Sequence, residues 1–243
     1  MINIYDLIKF PDKDTREAIR LKYSVFSRYK QIPLNILKKY EGTFLCEFEN
    51  YEIVITWINE YNHLLFFMLI PLYQAIDTYE KIRDCEIASD LFQNLRALFY
   101  YYSEIVSYYI DCAFEKSAQI FNAMFNLRIN EGRGCINKIM KEIRKRAEES
   151  AIINEVLVKL EAIHTDKYYC DLANIRNKNT HYIKVHHGNL YNVYDPKSKV
   201  TSTCVSEVIE PDEVLDTIFL AMELLDDYTS FIESILYKYY RSI

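Results

Sequence analysis

The sequence predicts a single, mainly α-helical domain, and the helical class follows from three observations. Only 4 Gly and 5 Pro punctuate 243 residues, which favours long helices over a many-turned β architecture. Apolar residues recur three and four positions apart through most of the chain. Half of the residues are hydrophobic, enough for one substantial core, and no Ser/Gly/Pro-rich stretch invites a cut into two units. Residues 1–243 are therefore read as one domain.

The elements follow in order. After an entry segment ending at Pro11, Asp12 or Asp14 can cap a helix running to about Lys30, and Pro33 opens a short one that Gly42 ends. From Tyr51 to about Arg83 the pattern is helical and unusually apolar, with Trp57, Leu64, Leu65, Phe67 and Met68, and Pro71 is expected to kink or divide it. Ser89-Asp90 starts the longest element, marked by Leu91, Leu95, Leu98, Tyr102, Ile105, Tyr109, Ala113, Ile120 and Met124, to about Leu127. The break Gly132-Arg133-Gly134 precedes a basic helix with Lys138, Lys141, Arg144, Lys145 and Arg146. Ile152, Ile153, Val156, Leu157, Leu160 and Ile163 begin the next helix, which is expected to continue through Leu172 and Ile175. Between His186 and Val208 the β-formers Leu190, Tyr191, Val193 and Tyr194, then Val200, Thr201, Thr203, Cys204 and Val205, surround Asp195-Pro196 and read as a small β-hairpin. Pro211 opens a closing amphipathic helix with Val214, Leu215, Ile218, Met222, Leu225, Ile232, Ile235 and Leu236. There are no internal repeats and no low-complexity tails.

Charge and cysteine usage narrow the function classes. A net charge of −6 supplies no whole-molecule attraction to nucleic acid, so any RNA contact must be local. The local candidate is the basic helix, whose other reading is an ordinary solvated face. Cys46, Cys85, Cys112, Cys135, Cys170 and Cys204 form no C-x-x-C pair, and the N-terminus lacks the basic and apolar regions of a signal peptide. They read as buried thiols in a reducing cytoplasm. The most apolar stretch, Leu64 to Tyr73, falls short of the roughly 20 residues a bilayer span needs, so no membrane segment is expected. No G-x-S-x-G elbow, G-x-x-x-x-G-K-[ST] or strand-linked G-x-G-x-x-G is present.

One segment carries chemistry: Arg176-Asn177-Lys178-Asn179-Thr180-His181. Imidazole and guanidinium are the groups that cleave RNA without a metal, one taking the 2′-hydroxyl proton and the other stabilising charge on the phosphate. What singles the segment out is Asn177 directly after the arginine, and its place near the end of a late helix, before a short β segment and a final helix. In these features the chain resembles the HEPN superfamily ("higher eukaryote and prokaryote nucleotide-binding" domains) over roughly residues 88 to 240, with residues 1–87 as an N-terminal helical extension packed on that core.

The resemblance implies a metal-independent endoribonuclease with Arg176, Asn177 and His181 catalytic, no cofactor, and products ending in a 2′,3′-cyclic phosphate and a 5′-hydroxyl. Residues five apart on an ideal helix point about 140° away from each other, so Arg176 and His181 of one chain converge poorly on one phosphate. HEPN nucleases solve this by pairing two motifs across a two-fold interface, which implies a homodimer with a composite site. Asn177, four residues before His181, would lie on its face and orient the imidazole. Lys178 with Lys138, Lys141, Arg144, Lys145 and Arg146 would bind RNA, tRNA or mRNA. The resemblance also implies a toxin or abortive-infection effector of phage defence, restrained by an antitoxin protein or RNA. In HEPN toxins silenced by tyrosine adenylylation a tyrosine stands two residues after the His; here that position is Ile183, and the tyrosine is Tyr182, so that form of control is not expected.

Three other readings stay open. Cys170, His181, His186, His187 and Cys204 have the right donors for zinc, in a spacing that fits no finger pattern. Tyr100-Tyr101-Tyr102 and Tyr108-Tyr109 can stack RNA bases or simply be core. The same scaffold can also be a non-catalytic module that binds RNA or a protein partner, with Arg176 in a structural ion pair.

Overall fold

The structure, a computed structural model, describes residues 9–34, 50–87, 89–132, 134–177, 190–195, 200–205 and 209–241; for 174–177, 190–195, 200–205 and 241 it describes the backbone. Its helices are α1 (Lys13–Lys22), α2 (Tyr51–Arg83), α3 (Asp90–Met124), α4 (Cys135–Arg146), α5 (Ala151–His164), α6 (Lys167–Asn177) and α7 (Pro211–Arg241). Between α6 and α7, β1 (Leu190–Asp195) pairs antiparallel with β2 (Val200–Val205), Leu190 opposite Val205 and Asp195 opposite Val200.

Three long helices make the frame. α2 and α3 run antiparallel along each other more extensively than any other pair, joined by a short connection that Ser89 ends by accepting the Phe92 amide at 3.1 Å. Gln74 reaches the Tyr102 hydroxyl at 3.2 Å, and Lys116 lies 4.7 Å over the Trp57 ring, fixing the register near opposite ends. α7 runs parallel to α3 and antiparallel to α2. Its start is tied by Tyr100, whose hydroxyl donates to the Ile209 carbonyl, and by Tyr79, which donates to Asp212. Its middle is tied by the Tyr61–Thr229 hydroxyl pair at 2.7 Å, and its end by Tyr239 against Phe125.

The seam is aromatic. Phe114 stacks on Tyr228 with centroids 5.7 Å apart, and Phe121 meets Tyr228 and Phe231. Each such ring removes a large apolar area from water and adds a preferred edge or offset geometry. One hydrophobic cluster runs from Ile19 to Tyr240 through all the helices with described side chains. α2 belongs to that core, with Val54, Ile58, Tyr61, Leu72 and Ile76 fully buried, although its sequence falls in the stretch expected as an extension.

Several expectations are corrected. The first helix ends at Lys22, well before Lys30, because Tyr23 leaves the helix to pack on Phe219 and to donate to Glu80. After a 3-10 turn at Ser24–Phe26, Phe26 stacks on Tyr73, and these tertiary contacts outweigh local propensity. Pro71 does not divide α2: the helix runs through it, with the proline ring buried in the core. The helix expected from Ile152 to the motif is two helices, separated at Thr165-Asp166. Of the cysteines with described side chains, Cys135 is buried while Cys85, Cys112 and Cys170 are only half-buried; all four are free thiols. α2 is, by length and composition, long and apolar enough to cross a membrane, its most apolar 18 residues having a mean hydropathy of 1.4, a property it shares with helices packed into a core, as its buried face is here. The short helix expected between Pro33 and Gly42 lies largely outside the described residues.

Candidate active site at the end of α6

The placement of the motif is decided at the other end of its helix. Thr165 closes α5, its hydroxyl bonding the Glu161 carbonyl at 3.0 Å, and Asp166 opens α6 by accepting the amides of Tyr168 and Tyr169 at 2.8 and 3.3 Å. Tyr169 sets its ring edge-on to Phe114 of α3 at 5.1 Å, beside His164 at 5.8 Å, and Leu172 is buried one turn on. Burial first, and then the charge of Glu115, push the Tyr169 hydroxyl pKa up. α6 is thereby fixed against α3 and α7 through its first two turns.

Its last turn carries Arg176 and Asn177. Position 176 comes seven residues after Tyr169, so on helical geometry it stands about 10 Å farther along and nearly in line with it. The Arg176 and Asn177 side chains, and Lys178 and His181 altogether, lie outside what is described, as does Tyr182.

The face of α3 that carries Phe114 holds a feature that pattern reading missed. Ser103, Ser107 and Asp111, four apart, are all buried; the Ser107 hydroxyl donates to the Ser103 carbonyl at 2.8 Å. Asp111 is 6% exposed and stands three residues from Phe114, the Tyr169 contact. A carboxylate so buried is retained only with a compensating partner. The available signal was an acid between Ile110 and Cys112, at a core-facing register of an apolar helix.

The basic helix α4 is a different surface from its sequence image. It packs on α5 and α3. Arg144 pairs with Glu161, Lys145 with Glu142 at 2.6 Å, and Arg146 with Glu149 at 2.9 Å while also donating to the Phe125 carbonyl at 2.6 Å. Lys138 and Lys141 are exposed and, among the described residues, have no ion-pair partner. Of the tyrosine runs, Tyr100 and Tyr102 are core, whereas Tyr101 and Tyr108 are exposed. Among the described residues no three His, Cys, Asp or Glu converge as a metal site. Of the zinc set considered from sequence only Cys170 has a described side chain, and its thiol faces the His164 carbonyl at 3.7 Å.

Comparison with known proteins agrees with this helical arrangement. No curated protein and no solved structure matches the chain significantly. The family model of Cthe2314-like HEPN proteins matches residues 57–233, from the first turns of α2 well into α7. That match begins earlier than residue 88 and takes in the α2–α3 pair that organises the core. It carries the helical fold and lends no support to a β-hairpin as a family feature. HEPN domains serve ribonuclease-type or nucleotide-related functions in general. With well over half of its length matched, and with the Arg-Asn pair in the last turn of a helix held against α3, the chain belongs to the HEPN superfamily.

Proposed function

We propose that this protein is a metal-independent endoribonuclease. The observation that carries the reading is the position of Arg176-Asn177 at the end of α6, in a HEPN chain whose α6 is anchored at its opposite end. His181 acts as general base on the 2′-hydroxyl, and Arg176 neutralises charge gathering on the phosphate oxygens. The 2′-oxygen attacks phosphorus, the bond to the 5′-oxygen breaks, and that oxygen takes up a proton; the ends are a 2′,3′-cyclic phosphate and a 5′-hydroxyl. Asn177 orients the imidazole. Two chains supply two such motifs to one cleft in a homodimer, which relieves the poor convergence of positions 176 and 181 on a single helix.

The RNA is a tRNA or mRNA, and the biological setting is a cytoplasmic toxin or abortive-infection effector held in check by an antitoxin protein or RNA. Lys178, Lys138 and Lys141 meet the RNA backbone; Arg144, Lys145 and Arg146 contribute less, because each already answers a carboxylate.

The test is product chemistry. Labelled tRNA and single-stranded RNA are incubated with the chain in EDTA, and the ends are read by mass spectrometry. Cyclic phosphate ends made by the wild type and not by His181→Ala are expected. RNA bound without cutting would replace this reading with the non-catalytic module, and cleavage abolished by EDTA would replace it with metal chemistry.

A further inference from the structure

α2 keeps much of its apolar surface in water: of its most apolar 18 residues only 28% are buried. Glu60, His63, Phe67, Ile70 and Gln74, three and four apart, form one outward stripe, exposed except for the half-buried Gln74. Gln74 donates to the Tyr102 hydroxyl at 3.2 Å, and Tyr101, whose ring meets that of Tyr102 at 5.3 Å, carries the surface onto α3.

The two helices run antiparallel between that bond and the stack of Lys116 over Trp57. Counting inward from these anchors, at a rise of about 1.5 Å per residue on both helices, sets Phe67 level with Tyr108 and Glu60 level with Glu115. Phe66, Phe67, Ile70, Tyr101 and Tyr108 are each between 44% and 57% exposed. Side chains of this size leave roughly 100 Å² apiece to water at that exposure, about 500 Å² together, near the upper end of the largest apolar patch on a typical monomer. A patch of that extent marks a docking surface.

Charge selects the occupant. Glu60, Glu104 and Glu115 edge the patch and have no ion-pair partner among the described residues, whereas Lys81 and Lys116, at its two ends, already answer Asp77 and Glu131. The face is therefore negative. A second copy would bring the same net negative face to it, and a phosphate backbone or an anionic bilayer would be repelled. A polypeptide with apolar side chains flanked by Lys or Arg matches both the patch and its edge. The trough between two antiparallel helices accepts a third helix by ridges-into-grooves packing.

We propose that the outer face of α2 and α3 docks an amphipathic helix of a partner protein, its apolar stripe on Phe67, Ile70, Tyr101 and Tyr108 and its Lys or Arg side chains on Glu60, Glu104 and Glu115. The inference draws on none of Arg176, Asn177 and His181 and stands apart from the ribonuclease reading.

Trp57, the only tryptophan, is half-buried at the acidic end of this face, three residues from Glu60. Its fluorescence in the full chain is followed on titration with three synthetic peptides: a helix with a leucine stripe flanked by lysines, the same stripe flanked by glutamates, and a scramble of the first that has no stripe. Saturable binding of the first is expected, with the other two weaker by about tenfold or more. Phe67→Ser, and Glu60→Lys combined with Glu115→Lys, should each weaken the first peptide by about that factor with unchanged melting curves, while Val158→Ser, exposed on α5, leaves it unchanged. Equal binding of the three peptides, no saturable binding of any, or full binding by Phe67→Ser overturns the proposal. Self-association that Phe67→Ser dissolves, read by sedimentation, overturns it in favour of a second copy, and phosphatidylglycerol vesicles that capture the wild type but not Phe67→Ser overturn it in favour of a membrane. A dimer that Phe67→Ser leaves intact supports it, because that interface lies elsewhere.

Discussion

Helix α4 and the end of α6 carry the two sets of cations that sequence alone assigns to RNA, and the fold treats them differently. On α4 three of the five cations face a carboxylate, and Arg146 also caps the end of α3 through the Phe125 carbonyl. The end of α6 is prepared from its far end, by the Asp166 cap and the Tyr169–Phe114 contact. A run of positive charge is therefore no measure of positive potential. What counts is how many carboxylates the neighbouring helices bring to it, and α5 brings Glu161 while α4 itself brings Glu142.

The sharpest way to break the contrast is at the motif. Arg176→Ala and His181→Ala are each expected to slow RNA cleavage about 10²–10⁴-fold while leaving thermal unfolding unchanged; a mere twofold loss would put both surfaces on one footing. Next comes the anchor: Phe114→Ala should cost about 3–5 kcal/mol, read by urea unfolding, because the ring contacts both Tyr169 and Tyr228. Arg146→Ala should cost about 1–2 kcal/mol, since a part-buried carbonyl loses its charged donor. On α4, replacing Lys138 and Lys141 by Ala should flatten the dependence of log RNA affinity on log salt by about 0.7 per lysine, whereas Arg144→Ala should change it less. The reverse order would show that the ion pairs open to RNA. Smallest of all, Arg144→Ala should alter stability by less than about 1 kcal/mol, as both partners are largely solvent-exposed.

Much of the fold was legible because its signals are local. Ser89 and Pro211 stand at helix starts, and the three- and four-residue periodicity of α3 and α7 survives intact. What escaped depends on tertiary partners. Nothing in the stretch around Tyr23 says that Glu80 and Phe219 wait for it, so local propensity alone carries the expected helix too far. Asp166 reads equally well as a residue inside a helix or as the cap it is. Ion pairing of Arg144 with Glu161 spans two helices and is invisible to a charge count along one of them. Of the candidate site, the motif was legible as residue types in order. The buried Ser103, Ser107 and Asp111 on the Phe114 face of α3 were not, because each is a single polar residue whose meaning lies in what packs over it.

The central claim is that Arg176 and His181 cut RNA without a metal. Its most direct measurement is the first-order cleavage rate of one labelled RNA in EDTA by the wild type, Arg176→Ala and His181→Ala at equal concentration. A wild-type rate at least about a hundredfold above both variants is the predicted result. Equal rates for the three proteins, or no cleavage by any of them, would contradict it.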